Sequence, residues 1–321
     1  MIGFLSYVLV IAGIYTIFAL SLQLQFGLGG LANFALVAFM AVSAYTMAIL
    51  TVTYRWPLLG ASLAALAAAL ILAAVLAIPA LRLRADYLAI ATIAAAEIVR
   101  YLALNLDAVT GGASGTVNLP RGDGQTSYTD GWRQWQEQVH GGIESLTGLS
   151  LSNDQVTLLV VWVIAGLLGV AMWSLARSPW GRVLRATRDS EDAAASLGKN
   201  VYLIKIQAFG TGAVVAAVAG LFLAWQLAVF SPQDFLPEVT FFAFVIVILG
   251  GSTRVWAVPI AALLFAFLYA ATRFLGFWPL SLFGSGERAY VRLVVIGLAL
   301  IALMMWRPQG LFGRRWEAEL D

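Results

Sequence analysis

The first 54 residues contain no Asp, Glu, Lys, Arg or His. A chain that met water along such a stretch would have to leave a long apolar face unsolvated, and about a quarter of a soluble domain is charged. Across all 321 residues the sequence is 61% hydrophobic and only 11% charged. The solvent for this fold is therefore a bilayer. There is no Cys and a single His, His140, which excludes disulfides, cysteine nucleophiles and zinc clusters. The net charge of +2 says little, because in membrane proteins the placement of Lys and Arg matters more than their sum. The first apolar run is too long, and lacks the basic start, for a cleaved leader, so it reads as a retained span.

A spanning helix needs about 20 apolar residues. Runs of this kind lie near 3–25, 29–51, 57–80, 86–106, 155–176, 201–228, 238–250, 256–275 and 289–306. They predict an all-α, polytopic helix bundle of about nine transmembrane helices (8–10), forming a single transmembrane domain over 1–321. The run 238–250 is short for a span and reads as a broken or partly re-entrant helix. The positive-inside rule sets the orientation. With 177–200 in the cytoplasm, Arg82, Arg84, Arg254, Arg307, Arg314 and Arg315 join it there, while Arg55, Arg121, Arg133, Arg273 and Arg288 are spread outside. Nine crossings then put the N-terminus outside and the C-terminus inside. Segment 107–153, with Trp132, Trp135 and His140, becomes a large external loop. Ala61, Ala65 and Ala69, and Gly212, Ala216 and Gly220, recur at every fourth position, a spacing that lets helices approach closely in lipid.

Three places carry possible function. Gly27, Gly29 and Gly30 interrupt the uncharged run just before Leu31–Phe34. An uncharged, Gly-broken turn suggests irregular backbone buried where it lines a cavity, as in the broken helices of transporters; the bland alternative is a tight helix–helix connector. Gly29, Gly30, Asn33 and Phe34 are the candidate path residues there. Glu97 is the one carboxylate well inside a span, and such groups often line a path or a subunit contact; the alternative is a local pair with Arg100 at i+3.

The third place is Arg177–Asn200, a polar island holding eight charged residues. Ser178-Pro179 reads as an N-cap and first helical residue, with Arg182, Arg185 and Arg188 on roughly one face. A second start at Asp189 or Ser190 precedes Glu191–Leu197, and Gly198 stops it. The short helix has a small apolar face of Ala193, Ala194 and Leu197 and acids at its positive dipole end, which suits insertion into a partner's groove. A basic loop resting on anionic lipid is the alternative, and the mixed acids count against it.

Enzymatic readings fail on inventory. The only lysines, Lys199 and Lys205, sit in no Walker A motif. His140 has no Ser or Asp motif beside it to make a triad, and no metal-ligand or two-carboxylate constellation occurs in the spans. No cofactor is expected in this chain, and no nucleic acid as partner.

The blocks Gly27–Tyr45 (GLGGLANFALVAFMAVSAY), Tyr87–Arg100 (YLAIATIAAAEIVR) with Thr110–Gly115 (TGGASG), Ser178–Asn200, Ser231–Phe235 (SPQDF), Leu249–Pro259 (LGGSTRVWAVP) and Arg307–Gly313 (RPQGLFG) resemble, in order, the permease subunits of bacterial ABC importers for branched-chain amino acids, the LivM-like branch, with urea and short-amide permeases as relatives. The resemblance implies that Glu191, Ala193, Ala194 and Gly198, with Arg185 and Leu197 beside them, form a coupling helix against a cytoplasmic ATPase. It also implies a second permease subunit in a heterodimer, two ATPase subunits carrying ATP and Mg, a periplasmic substrate-binding protein, and the bacterial inner membrane as location. Many relatives place a His soon after the Gly-rich turn, where this chain has Asn33-Phe34-Ala35-Leu36. A stand-alone channel or ion-coupled transporter is the reading from another class, opposed by the scarcity of intramembrane acids.

Overall fold

The computed structural model describes residues 2–120, 127–147, 152–252 and 254–274, with isolated positions between 294 and 313. The elements are α1 (Ile2–Leu22) running into a π-helical turn (Gln23–Leu28), α2 (Leu36–Val52), α3 (Leu58–Ala80), α4 (Ala85–Asn105), α5 (Asp107–Thr110), a 3-10 segment (Gly112–Asn118), α6 (Asp130–Thr147), α7 (Asn153–Arg177), α8 (Pro179–Asp189), α9 (Glu191–Ser196), α10 (Val201–Leu227), a 3-10 turn (Pro232–Phe235), α11 (Glu238–Gly250) and α12 (Ala257–Phe274). No strand occurs among the described residues. Among the described residues, five helical stretches are long and apolar enough to cross a bilayer: Gly3–Leu28, Leu58–Ala80, Asp86–Asn105, Asn153–Arg177 and Val201–Leu227. Three shorter apolar helices accompany them, Leu36–Val52, Glu238–Gly250 and Ala257–Ala270. The ninth expected run, 289–306, falls outside the described residues except for isolated positions.

Small side chains set the packing, because close backbone approach replaces the hydrophobic effect between helices in lipid. On α3 the stripe extends past the three alanines read from sequence, as Ala61, Ala65, Ala69, Ala73 and Ala77 are all buried, and this helix packs on α2 and α10. Gly212, Ala216 and Gly220 give α10 the matching face toward α2. Ser43 Oγ donates to Ala217 O at 2.8 Å across that contact. α1 lies at the centre, touching α7, α10, α11 and α12.

Two expected spans are shorter than a bilayer. α2 begins at Leu36, not near residue 29, because Gly30 takes a left-handed conformation (φ 65°) and the chain runs irregularly until Ala35. α11 covers 13 residues, about 20 Å of rise, so the broken or re-entrant reading of 238–250 fits. The segment before it tucks Phe230 and Phe235 into the bundle against the Tyr45 ring, with centroids 5.0 and 6.0 Å apart.

The two ends of the bundle differ. At one end gather the 27–35 turn, the 81–84 turn, α8 and α9, the 251–256 turn, and Leu311, whose N–H donates to Leu249 O at 2.8 Å. At the other, Trp132 of α6 stacks between Trp225 and Trp135 at 4.3 and 4.9 Å. Thr116 Oγ1 also accepts from Phe230 N there, at 3.1 Å. Beside it, burial pushes the Tyr128 phenol above its ordinary range, so it remains a neutral hydroxyl.

A Cβ at Gly220 would overlap Met40 O and Ser43 Oγ. Gly220→Val is therefore expected to force α2 and α10 apart and destabilise the protein by about 1–3 kcal/mol, read as a lowered melting temperature of the detergent-solubilised chain. Gly142→Val, which meets open space, should leave it close to wild type.

Candidate functional site: a buried polar turn and a charged helical elbow

The backbone between α1 and α2 leaves helical geometry inside the bundle, where every N–H and C=O must find a protein partner. The wider π-turn, an i→i+5 arrangement common at functional positions, swings Gln23 and Gln25 inward. Gln25 is fully buried. Its Nε2 donates to Phe209 O of α10 at 3.0 Å, and its Oε1 accepts from Asn33 Nδ2 at 2.8 Å. Asn33 Oδ1 in turn accepts from Ala35 N at 2.8 Å. The amide of Gln25 fits only because α10 carries Gly212 opposite, where a Cβ would overlap it.

The free N–H groups at the start of α2 are met from two other helices. Phe34 N donates to Thr92 Oγ1 of α4 at 3.0 Å, and Val37 N to Thr240 Oγ1 of α11 at 3.2 Å. Gln23 Nε2 donates to Ser252 O, tying the turn to the segment after α11. Above this network Phe34 stacks on Phe244 at 4.4 Å, and Phe26 meets Phe244 edge-on at 5.3 Å. The turn thus joins α1, α2, α4, α10 and α11 at one point. Of the residues singled out from sequence, Asn33 is a structural bridge in it, Phe34 its apolar cover, and Gly29 and Gly30 its outer rim.

α8 and α9 dock on that rim. Ser178 caps α8, with Pro179 in its first turn, and Ser190 caps α9, while Gly198 ends it at φ 73°. The arginines do not form a free face. Arg182 donates to Arg177 O at 2.9 Å and Arg185 to Ala176 O, satisfying the last carbonyls of α7, where cations are favoured by the helix dipole. Arg188 Nη1 reaches the turn itself and donates to Gly27 O at 2.8 Å. Leu184, fully buried, lies under Gly29.

α9 differs from its sequence reading. Ala194 is 3% exposed and Leu197 is 79% exposed, so Ala193, Ala194 and Leu197 do not share one outward face. Ala193 is turned about 100° from Ala194 by one helical step and is exposed; Ala194 anchors the helix inward, and Leu197 lies past the end of α9 at Ser196 and projects outward. Glu191 is ion-paired to Lys205 of α10, which holds the helix in place. A cavity of about 380 Å³ lies behind it, walled by Gly29, Gly30, Arg84, Arg188, Glu191 and Lys205 among others. Candidate turn and coupling residues thus meet there.

Glu97 sits apart from this group. It pairs with Arg100 at 2.7 Å along α4, with side chains 30% and 10% exposed, and Arg100 also covers the Tyr101 ring at 4.5 Å. The local-pair alternative describes that geometry. Gln23, Gln25, Thr92 and Thr240 were missed from sequence. Two glutamines and an asparagine within a charge-free run of 54 residues were the available signal, since a buried amide needs a partner.

Apolar helices around a hydrogen-bonded break, with a charged elbow docked at one end, define an integral membrane protein of the transporter kind. Residues 4–304 match the family model for the branched-chain amino acid transport system permease component, and the chain belongs to that family. It is 34% identical over 313 residues to the high-affinity branched-chain amino acid transport system permease protein LivM of Escherichia coli (strain K12), covering 93% of this chain and 67% of that protein. It is 24% identical over 345 residues to a probable branched-chain amino acid transport permease protein LivM of Methanocaldococcus jannaschii, covering 97% and 93%. A shorter match, 31% over 120 residues, covering 36% of this chain and 37% of that protein, is to the ribose import permease protein RbsC of Haemophilus influenzae. No solved structure matches the chain.

Gln25→Leu leaves the buried Asn33 amide without its acceptor and strips the side-chain bond from the Phe209 carbonyl, at about 1–3 kcal/mol for the unpaired amide. The expected result is a lower melting temperature together with a loss of uptake. Measuring both against Gln138→Leu, an exposed glutamine on α6, separates the turn from a general effect of losing an amide.

Proposed function

We propose that this permease component is the translocating subunit of an ATP-driven importer for branched-chain or other apolar amino acids. Similarity over 93% and 97% of this chain to two branched-chain amino acid permeases carries the reading. The importer comprises this chain, a second permease subunit, two cytoplasmic ATPase subunits that hold ATP and Mg, and a periplasmic binding protein. It sits in the bacterial cytoplasmic membrane with the α8–α9 end inside. The described cations support that orientation: Arg82, Arg84, Arg177, Arg182, Arg185, Arg188, Lys199, Lys205, Arg254 and Arg307 belong to that end by sequence position, against Arg55, Arg100 and Arg133 toward the other.

In this reading Leu197 and the exposed side of α9 seat in a groove of the ATPase. Movement of α9 passes through α8 to the buried turn by Leu184 and by the Arg188–Gly27 hydrogen bond. The turn then shifts α2, α4 and α11 through Asn33, Thr92 and Thr240. Phe34 belongs to the proposed path side of the turn, while Glu97 stays in its local pair with Arg100. The transported molecule is a zwitterion with an aliphatic side chain; the chain offers that side chain aromatic and aliphatic surfaces, and the turn brings amide and hydroxyl groups among them.

Two experiments test the proposal. Proteoliposomes with the complete importer should accumulate leucine on ATP addition, with competition by excess isoleucine or valine and none by urea, acetamide or ribose. The chain alone should accumulate nothing, and accumulation driven by an ion gradient alone would overturn the ATPase assignment. For docking, Leu197→Asp places a charge on an exposed contact without touching the packing of Ala194. It should weaken ATPase co-purification tenfold or more, about 1.4 kcal/mol, whereas Leu203→Asp, on a half-exposed position of α10, should not. Unchanged co-purification for Leu197→Asp removes α9 as the coupling element.

A further inference from the structure

A groove of about 260 Å³ runs along the outside of the bundle between α1, α7 and α12. Trp162, Trp173 and Trp256 wall it and Gly166 and Gly169 form its floor. Its polar wall groups are already satisfied: Thr16 Oγ1 donates to Ala12 O at 2.8 Å and Trp162 Nε1 to Leu9 O at 3.0 Å. The groove therefore offers carbon surface only. Between Trp162 and Trp173 it follows α7 for about 16 Å at a rise of roughly 1.5 Å per residue, close to half of a hydrocarbon core about 30 Å thick.

The end of the groove nearest α8 is cationic. The Arg177 guanidinium lies 3.8 Å over the Trp173 ring, and that of Arg254 lies 5.5 Å from the Trp256 ring. Both stacked indoles line the groove, so both cations stand at its edge. No acidic partner is paired with either among the described residues.

We propose that this groove seats one anionic phospholipid, with an acyl chain against Gly166 and Gly169 and its phosphate between Arg177 and Arg254. Several features fit that ligand together. Its length is one leaflet, its wall is apolar, and interfacial tryptophans mark the headgroup level. A phosphate pairs well with guanidinium groups. A partner helix seated there with an apolar face would leave the two guanidiniums at the groove's edge without an anionic partner. The topology proposed above enters only in naming the leaflet, the cytoplasmic one. Lipid binding is read without transport, so its failure leaves the importer reading standing, and the reverse.

The test is native mass spectrometry of the full-length chain with the subunits that co-purify, titrated with phosphatidylglycerol, phosphatidylcholine or inorganic phosphate. Wild type should retain phosphatidylglycerol about tenfold more tightly than phosphatidylcholine. Arg177→Gln with Arg254→Gln should weaken phosphatidylglycerol about 10- to 30-fold, as expected for two cations near a membrane surface. Gly166→Leu, whose side chain enters open space, should block the same lipid with both arginines intact, and melting temperatures near wild type for either variant locate the loss in the groove. Millimolar phosphate should not displace the lipid. Equal binding of the two lipids, insensitivity to either variant, or displacement by phosphate alone overturns the proposal.

Discussion

The Gln25 side chain is the contact on which the rest of the structure depends. A chain that abandons helical geometry inside a bilayer exposes backbone groups that neither lipid nor water can satisfy. Gln25 braces the remedy: anchored on the Phe209 carbonyl, it accepts from the Asn33 amide, and the Asn33 oxygen so held accepts the free N–H of Ala35. Gly212 exists to let it in. With that bridge made, α2 starts late at Leu36 and hands its free N–H groups to Thr92 and Thr240. Helices remote in sequence become mechanically connected through one small polar knot.

The charged elbow is attached to the same knot. Its arginines are not a solvated face: they are used on carbonyls, two at the end of α7 and one at Gly27. Such charge-assisted hydrogen bonds are stronger than neutral ones. An elbow held by α7 on one side and by the buried turn on the other gives an external push a defined route inward, and the route is short. Glu191 with Lys205 closes the arrangement by fixing α9 to α10.

Much of this was legible in the sequence, for physical reasons that differ by element. Long apolar helices such as α3 and α10 announce themselves because lipid enforces composition residue by residue, and Ala61, Ala65 and Ala69 marked a buried stripe. Ser178-Pro179 and Gly198 marked helix ends because capping is local chemistry. The shortness of α11 was also readable, from its run alone. Tertiary facts were not. Ala194 and Leu197 look equivalent in a string of small apolar residues, and only the orientation of α9 on α10 separates them. The roles of Thr92 and Thr240 depend on the turn meeting α4 and α11, which no local pattern encodes. The late start of α2 was hidden for the same reason, since Leu31–Ala35 is as apolar as a span.

The chain has no cysteine, so labels on introduced cysteines report single distances. The central claim is that α8 transmits ATPase movement to the buried turn through Arg188. The most direct measurement is the spin–spin distance between labels at Tyr54, just past the far end of α2, and Val229, just past α10, both exposed, in the assembled importer with and without trapped ATP. The account predicts a distance change in the Arg188-containing protein and its loss in Arg188→Gln, with the ATPase still bound. The same change in both proteins would contradict it.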